Sequence, residues 1–238
     1  MARTPRVEPS ILGLKRVRLL EGLADETLGS LVRQCRWRRF GAGERIISRE
    51  AVDNDVYLIV SGRVRITAFS AGGRQVTYAD MPAGHWFGDF AAIDGQSRSA
   101  DVVALEETVL ASLTPALFQR LLRDHPVVSE RMMRRLVACV RELTERIYDL
   151  TTLGVQNRVH AEILRLAREA GVKDNTARIA PAPKHTDLAA HISTYREQVT
   201  RELSAMAKQG LIERADNALI VPDVARLERI VAEVRRAL

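Results

Sequence analysis

The sequence predicts an α+β chain in three parts. These are a small N-terminal antiparallel β-domain, a roll or a barrel, one long helix, and a C-terminal helix-turn-helix followed by a hairpin. Three observations predict it. Residues 37–115 alternate apolar and polar side chains in short runs punctuated by glycine. Residues 127–154 carry an apolar stripe with heptad spacing. Residues 187–206 place core-type side chains on one helical face and hydrogen-bonding types on the other.

Each part follows from its pattern. Leu19, Leu20, Leu23, Leu28, Leu31 and Val32 recur at helical steps within residues 10–36. From Trp37 the period changes to two. Val56, Leu58 and Val60 share one side, Val64, Ile66 and Ala68 resume after Gly62, and Gly72-Gly73 marks a hairpin turn. Pro115 and Pro126 bracket a short helix. The long helix follows, with Met133, Leu136, Val140, Leu143, Ile147 and Leu150 as its seam. So narrow a stripe, flanked by charge, suits a two-stranded coiled coil with a second copy of the chain. Gly154 ends it. Val159, Ile163, Leu164 and Leu166 mark another amphipathic helix; a turn-rich stretch, the helix-turn-helix, a hairpin tipped by Ala215-Asp216-Asn217 and a last helix complete the chain. The expected domains are 1–126, 127–154 and 155–238.

The 238 residues are 46% hydrophobic and 28% charged, the balance of a folded protein. No apolar run is long enough for a membrane span, and the N-terminus lacks the apolar core of a signal peptide, so a cytoplasmic location is expected. Cys35 and Cys139 are too few to hold an iron–sulfur cluster or an all-thiolate zinc site, and they read as small buried hydrophobes. The five histidines are scattered, and no nucleophile–base ordering, metal motif or P-loop appears, which argues against an enzyme. A net charge of +6 permits a nucleic-acid partner without identifying one.

The segment "STYREQVTREL" is more specific. Val199, Leu203 and Met206 would pack inward, leaving Tyr195, Arg196, Glu197, Thr200 and Arg201 outward. Arginine can bond guanine O6 and N7 together, and glutamate can accept from the cytosine amino group. Glutamate would repel phosphate, so non-specific attraction does not explain Glu197. Lys184, His185 and Thr186, expected just before the first helix, suit phosphate contacts that fix register. Asp187 stands near that helix's N-terminus, small Ala189 and Ala190 allow a close crossing, and Ser193 or Thr194 can cap the second helix.

A second constellation is "GHWFGDFAAIDGQSRSADVV". Gly88 permits close backbone approach, a helical turn from Asp89 would aim N–H groups at an anion, and Arg98 with Ser99 supplies charged and hydroxyl donors. On residues alone, a phosphate site and a plain turn with Arg98 in solvent are equally good readings.

"TDLAAHISTYREQVTRELSAMAKQGLIE" resembles the helix-turn-helix of the cyclic-AMP receptor protein and fumarate–nitrate regulator superfamily, and the resemblance runs in order through nearly the whole chain. It implies base-reading roles for Arg196, Glu197 and Arg201, and it identifies the N-terminal β-domain as a jelly-roll-like β-roll of the cyclic-nucleotide-binding type and the C-terminal part as a winged helix-turn-helix. The family's phosphate cassette is matched by Gly88-Asp89-Phe90 and Arg98-Ser99-Ala100, with Asp89 one methylene shorter than the usual Glu. The family's purine-contacting Thr-Ser pair is matched by Leu143-Thr144, leaving Thr144 to meet a base. The helix after Pro222 would lie beyond the family's usual core. The resemblance implies a homodimer, paired through 127–154, that binds palindromic double-stranded DNA and contacts RNA polymerase. It implies cyclic AMP as effector, with cyclic GMP and ligand-independent binding as alternatives. A sensor of gas or redox state is a rival within the same superfamily, but two cysteines are too few for an iron–sulfur cluster, a haem reading would rest on His85 alone, and no metal is expected.

Overall fold

The computed structural model describes residues 7–49, 51–70, 72–73 and 75–236. The chain divides into two compact units, residues 1–139 and 140–238. The first six residues, part of the segment read for a signal peptide, lie outside the described set.

In the first unit, α1 (Ile11–Lys15), a 3-10 turn (Arg18–Leu20) and α2 (Asp25–Gln34) precede the roll. Ser10 caps α1 by accepting from the Gly13 N–H at 3.1 Å. The roll comprises β1 (Arg36–Phe40), β2 (Arg45–Ile47), β3 (Val56–Ser61), β4 (Arg63–Phe69), β5 (Gln75–Pro82), β6 (Trp86–Phe87), β7 (Asp101–Ala104) and β8 (Thr108–Leu113). Helix α3 (Asp89–Asp94) interrupts it after β6. The strands form two antiparallel sheets, β1-β8-β3-β6 and β2-β7-β4-β5.

Strand β3 shows how the unit is layered. Its period of two sends Val56 and Leu58 into a core shared with Leu14, Leu20, Leu28 and Phe118 of the helices. Tyr57 and Ile59 point the other way, into the roll interior with Phe40, Val64, Phe87 and Leu110. Burial on both faces is why "VYLIV" reads as a continuous apolar run. Gly62 turns the chain into β4 at φ 84°, where a Cβ would lie 2.4 Å from Thr108 Oγ1.

Thr114 caps α4 (Pro115–Asp124), accepting from the Leu117 N–H at 3.3 Å, with Pro115 in the first turn. Helix α5 runs from Pro126 to Thr152. Val128 and Met132 are buried in the first unit's core, and Leu136 packs partly against it. That corrects the expected seam. Leu136 belongs to its own unit and Leu150 is half-buried, whereas Val137, not anticipated, is exposed. The exposed apolar stripe is Met133, Val137, Val140, Leu143 and Ile147, with Val140 and Ile147 at 63% and 62% exposure.

The second unit continues with α6 (Val155–Ala170), β9 (Val172–Lys173), β10 (Thr176–Ile179), α7 (His185–His191), α8 (Arg196–Lys208), β11 (Glu213–Ala215), β12 (Ala218–Val221) and α9 (Val224–Arg236). Its core joins Val159, Ile163, Leu188, Val199, Leu203, Met206 and Leu227. The stretch read as turn-rich is a hairpin. β9 and β10 pair across Asp174-Asn175, both at positive φ, and extend the wing to a four-stranded sheet, β11-β12-β10-β9. Asp149 and Arg146 of α5 also belong here. Arg235 holds Asp149 at 2.7 and 2.9 Å, and Arg146 donates to the His191 carbonyl at 2.7 Å. Cys35 is buried, and its thiol pKa is pushed up to about 12 by burial; Cys139 is only half-buried.

Candidate anion pocket and nucleic-acid interface

Gly88 adopts the left-handed conformation (φ 85°), and this lets the chain leave β6 and enter α3 within one residue. A Cβ there would sit 2.7 Å from Arg98 Nη1 and 2.7 Å from the Asp55 carbonyl oxygen. The missing side chain is the space in which the guanidinium lies. Arg98 is buried, with its side chain 3% exposed. Nη1 donates to the Gly88 carbonyl at 3.0 Å and Nη2 to the Asp55 carbonyl at 2.8 Å. Nε and Nη2 both reach Asp53 Oδ1, at 3.3 and 3.1 Å. The Tyr57 hydroxyl donates to Asp53 Oδ2 at 2.7 Å, and the Tyr57 ring stacks on Phe87 with centroids 5.1 Å apart. Burial, then the bond and charge of Asp53, pushes the Tyr57 hydroxyl pKa upward.

Gly88→Ala is expected to cost about 1–3 kcal/mol of stability, the strain of a left-handed alanine pressed against the guanidinium. Denaturant unfolding measures it, and an unchanged midpoint would contradict the packing described.

Of the other anticipated pocket residues, Phe90 and Ser99 are exposed. Asp89 is buried and lies near the Arg135 guanidinium of α5, with Oδ2 3.6 Å from Nε. Arg135 also lies over the Trp86 ring at 4.8 Å. Burial raises the Asp89 carboxyl pKa, and the Arg135 charge opposes that rise. Thus Gly88, Asp89 and Arg98 come together by way of the backbone, but the Asp89 and Arg98 side chains meet different protein partners. Thr144 falls in the second unit, exposed, with its hydroxyl donating to the Val140 carbonyl at 2.9 Å.

In the second unit the division of faces is as expected. Val199, Leu203 and Met206 are buried, while Tyr195, Arg196, Glu197, Thr200 and Arg201 are exposed. Two local expectations change. His185 and Thr186 form the first turn of α7, with Lys184 as its N-cap, instead of preceding the helix. The N-cap of α8 is Tyr195, without a side-chain cap bond; Ser193 takes φ 55° in the turn, and the Thr194 hydroxyl donates to the Gln198 side chain. His185 Nδ1 lies 2.7 Å from Thr200 Oγ1, which also donates to the Arg196 carbonyl at 2.9 Å. The first α7 turn is therefore tied to the exposed face of α8. Burial, followed by Arg214 and Arg196, lowers the His185 pKa, favouring the neutral ring.

The sequence reading missed Asp53, Tyr57 and Arg135. Asp53 lies 45 positions from Arg98, and no local pattern marks a contact at that separation. Among the described residues no helix is long and apolar enough to cross a membrane, and no group of three or more His, Cys, Asp or Glu is placed to hold a metal ion.

Comparison with known proteins agrees with this fold. The family profile "Cyclic nucleotide-binding domain" matches residues 37–125, and "Crp-like helix-turn-helix domain" matches 157–230. The second match runs into α9 and ends at residue 230, so the first half of the last helix lies within the family's core, against the expectation that the whole helix lies beyond it. The cyclic AMP receptor protein of Thermus thermophilus is 30% identical over 214 residues, covering 89% of this chain and 95% of that protein. A CooA variant from Carboxydothermus hydrogenoformans superposes with a TM-score of 0.76 at 21% identity, covering 96% and 98% of the two chains. A global regulator of Xanthomonas campestris, described as responsive to c-di-GMP, gives 0.73 at 18% identity, with coverage of 84% and 99%. The chain therefore belongs to the cyclic-AMP receptor protein and fumarate–nitrate regulator superfamily, whose members are DNA-binding transcription regulators and not enzymes.

Proposed function

We propose that the protein is a homodimeric, sequence-specific transcription regulator whose DNA affinity is set by a cyclic nucleotide, cyclic AMP first and cyclic GMP next. The observation that carries this reading is the buried Arg98 guanidinium seated in the space left by Gly88, within a roll of the cyclic nucleotide-binding type. Arg98 would clamp the phosphate, Gly88 and Asp89 would line the approach with Phe90 and Ser99 at the rim, and Thr144 would meet the base. The exposed stripe Met133, Val137, Val140, Leu143 and Ile147 supports pairing of two α5 helices, because a single chain leaves it in water. Arg196, Glu197 and Arg201 would read bases, and Lys184, His185, Thr186, Tyr195 and Thr200 would hold the backbone.

As mechanism, the nucleotide must bind the DNA-competent arrangement more tightly than the other, since equal affinity for both shifts nothing. Two α8 helices would then address half-sites about 34 Å apart in adjacent major grooves. RNA polymerase is the natural downstream partner of a regulator in this family, and the cytoplasm its expected location. Calorimetric titration with cyclic AMP, cyclic GMP and cyclic di-GMP, followed by DNA binding with and without each ligand, tests the reading. Saturable binding of one mononucleotide, abolished in Arg98→Ala and coupled to tighter DNA binding, is expected. DNA affinity indifferent to all three would sink the effector assignment and leave a ligand-independent regulator.

A further inference from the structure

The anion seat already holds an anion of the protein's own. A guanidinium has five N–H donors, and four of those of Arg98 are directed at protein acceptors, leaving one on Nη1. The Nε–Nη2 edge, which a phosphate would engage through two parallel bonds, is occupied by one carboxylate oxygen of Asp53. The other oxygen is secured by the Tyr57 hydroxyl at 2.7 Å. Asp55 adds a second negative side chain, held by the Ser112 hydroxyl at 3.2 Å. The side chain of Asp53 is nonetheless 48% exposed, and that of Arg98 only 3%. The carboxylate is open to water, whereas the guanidinium is enclosed.

We infer that Asp53 is an intramolecular competitor for the phosphate of the effector and sets the nucleotide concentration to which the protein responds. The inference rests on the cyclic-nucleotide reading of this pocket. Binding becomes an exchange: the ligand phosphate takes the Nε–Nη2 edge, and Asp53 leaves for solvent with loss of its Tyr57 bond. The measured affinity is that of the clamp reduced by the stability of the internal pair. Asp53 acts on the phosphate, common to all cyclic mononucleotides, and not on the base. It therefore lowers affinity for cyclic AMP and cyclic GMP by one common factor.

The test is calorimetry with cyclic AMP and with cyclic GMP on the full-length protein, its Asp53→Asn variant and its Tyr57→Phe variant. Asp53→Asn keeps the shape and removes the charge, and at a half-exposed position it leaves the core intact. It is expected to tighten both nucleotides by about tenfold or more, the weight of one charge-assisted bond. Tyr57→Phe, which frees only one carboxylate oxygen, should give a smaller gain in the same direction. Asp53→Ala repeats the measurement without any acceptor at that position. Binding by the variants alone, with none by the wild type, would also support the inference. A wild type that binds while Asp53→Asn binds equally or more weakly would overturn it, making Asp53 a support for Arg98, and would leave the cyclic-nucleotide reading standing. Unequal gains for the two nucleotides would overturn it as well. No binding by any of the four proteins would remove the inference and the reading together.

Discussion

Glutamate at both Val140 and Ile147 is expected to make the protein monomeric and to lower its affinity for a two-half-site duplex by about two to four orders of magnitude. The two side chains are the most exposed of the apolar stripe on α5, so the change leaves the packing within the chain intact. In a paired helix they would lie at the seam, where like charges have no route to solvent. The loss at DNA follows from linkage. Two recognition helices on one dimer meet their half-sites as a single event, and separated chains must pay for each encounter alone. Sedimentation gives the mass and a mobility-shift titration the affinity. A double variant that remained dimeric and bound the full site like wild type would place the pairing surface elsewhere.

The second large effect is at Arg196. It is exposed on the first turn of α8, with Glu197 beside it and Val199 anchoring the inner face. One bidentate bond pair to a base is worth about 1–3 kcal/mol, so losing it in both half-sites amounts to about 2–6 kcal/mol. Arg196→Ala should therefore weaken operator binding by that amount and relax base preference at one position per half-site. Lys184→Ala provides the contrast. With the proposed ammonium–phosphate contact removed, all sequences should bind more weakly to the same degree, and the salt slope should fall by about one per subunit. Selection from a random duplex pool separates the two; an unchanged preference in Arg196→Ala would remove that residue from the reading face.

The part of this molecule that could be read from its sequence is the part written in local period. Alternation located the roll strands, and the three- and four-residue steps of Val199, Leu203 and Met206 located the inner face of α8. Where period is ambiguous the reading slipped. Leu136 and Val137 are adjacent, either fits an apolar stripe, and only the helical layer beneath Leu136 assigns it inward. The β9–β10 hairpin was missed because its strands have two and four residues, although Asp174-Asn175 is a turn pair suited to positive φ. Gly88 and Arg98 were legible as a motif. Asp53 was not, because an ion pair across 45 residues is a property of the closed roll and leaves no trace in spacing.

The last helix changes what counts as a transferable module. Leu227 is fully buried and Val224 nearly so, in the same core as Ile163 and Met206, and Arg168 of α6 pairs with Glu228. A chimera built by grafting the reading head onto another sensor, with its junction just past the wing at Val221, would strip the oily flank of α6 bare. The cassette that engineers would need to move extends to the end of α9, and with it goes Arg235, the grip on Asp149.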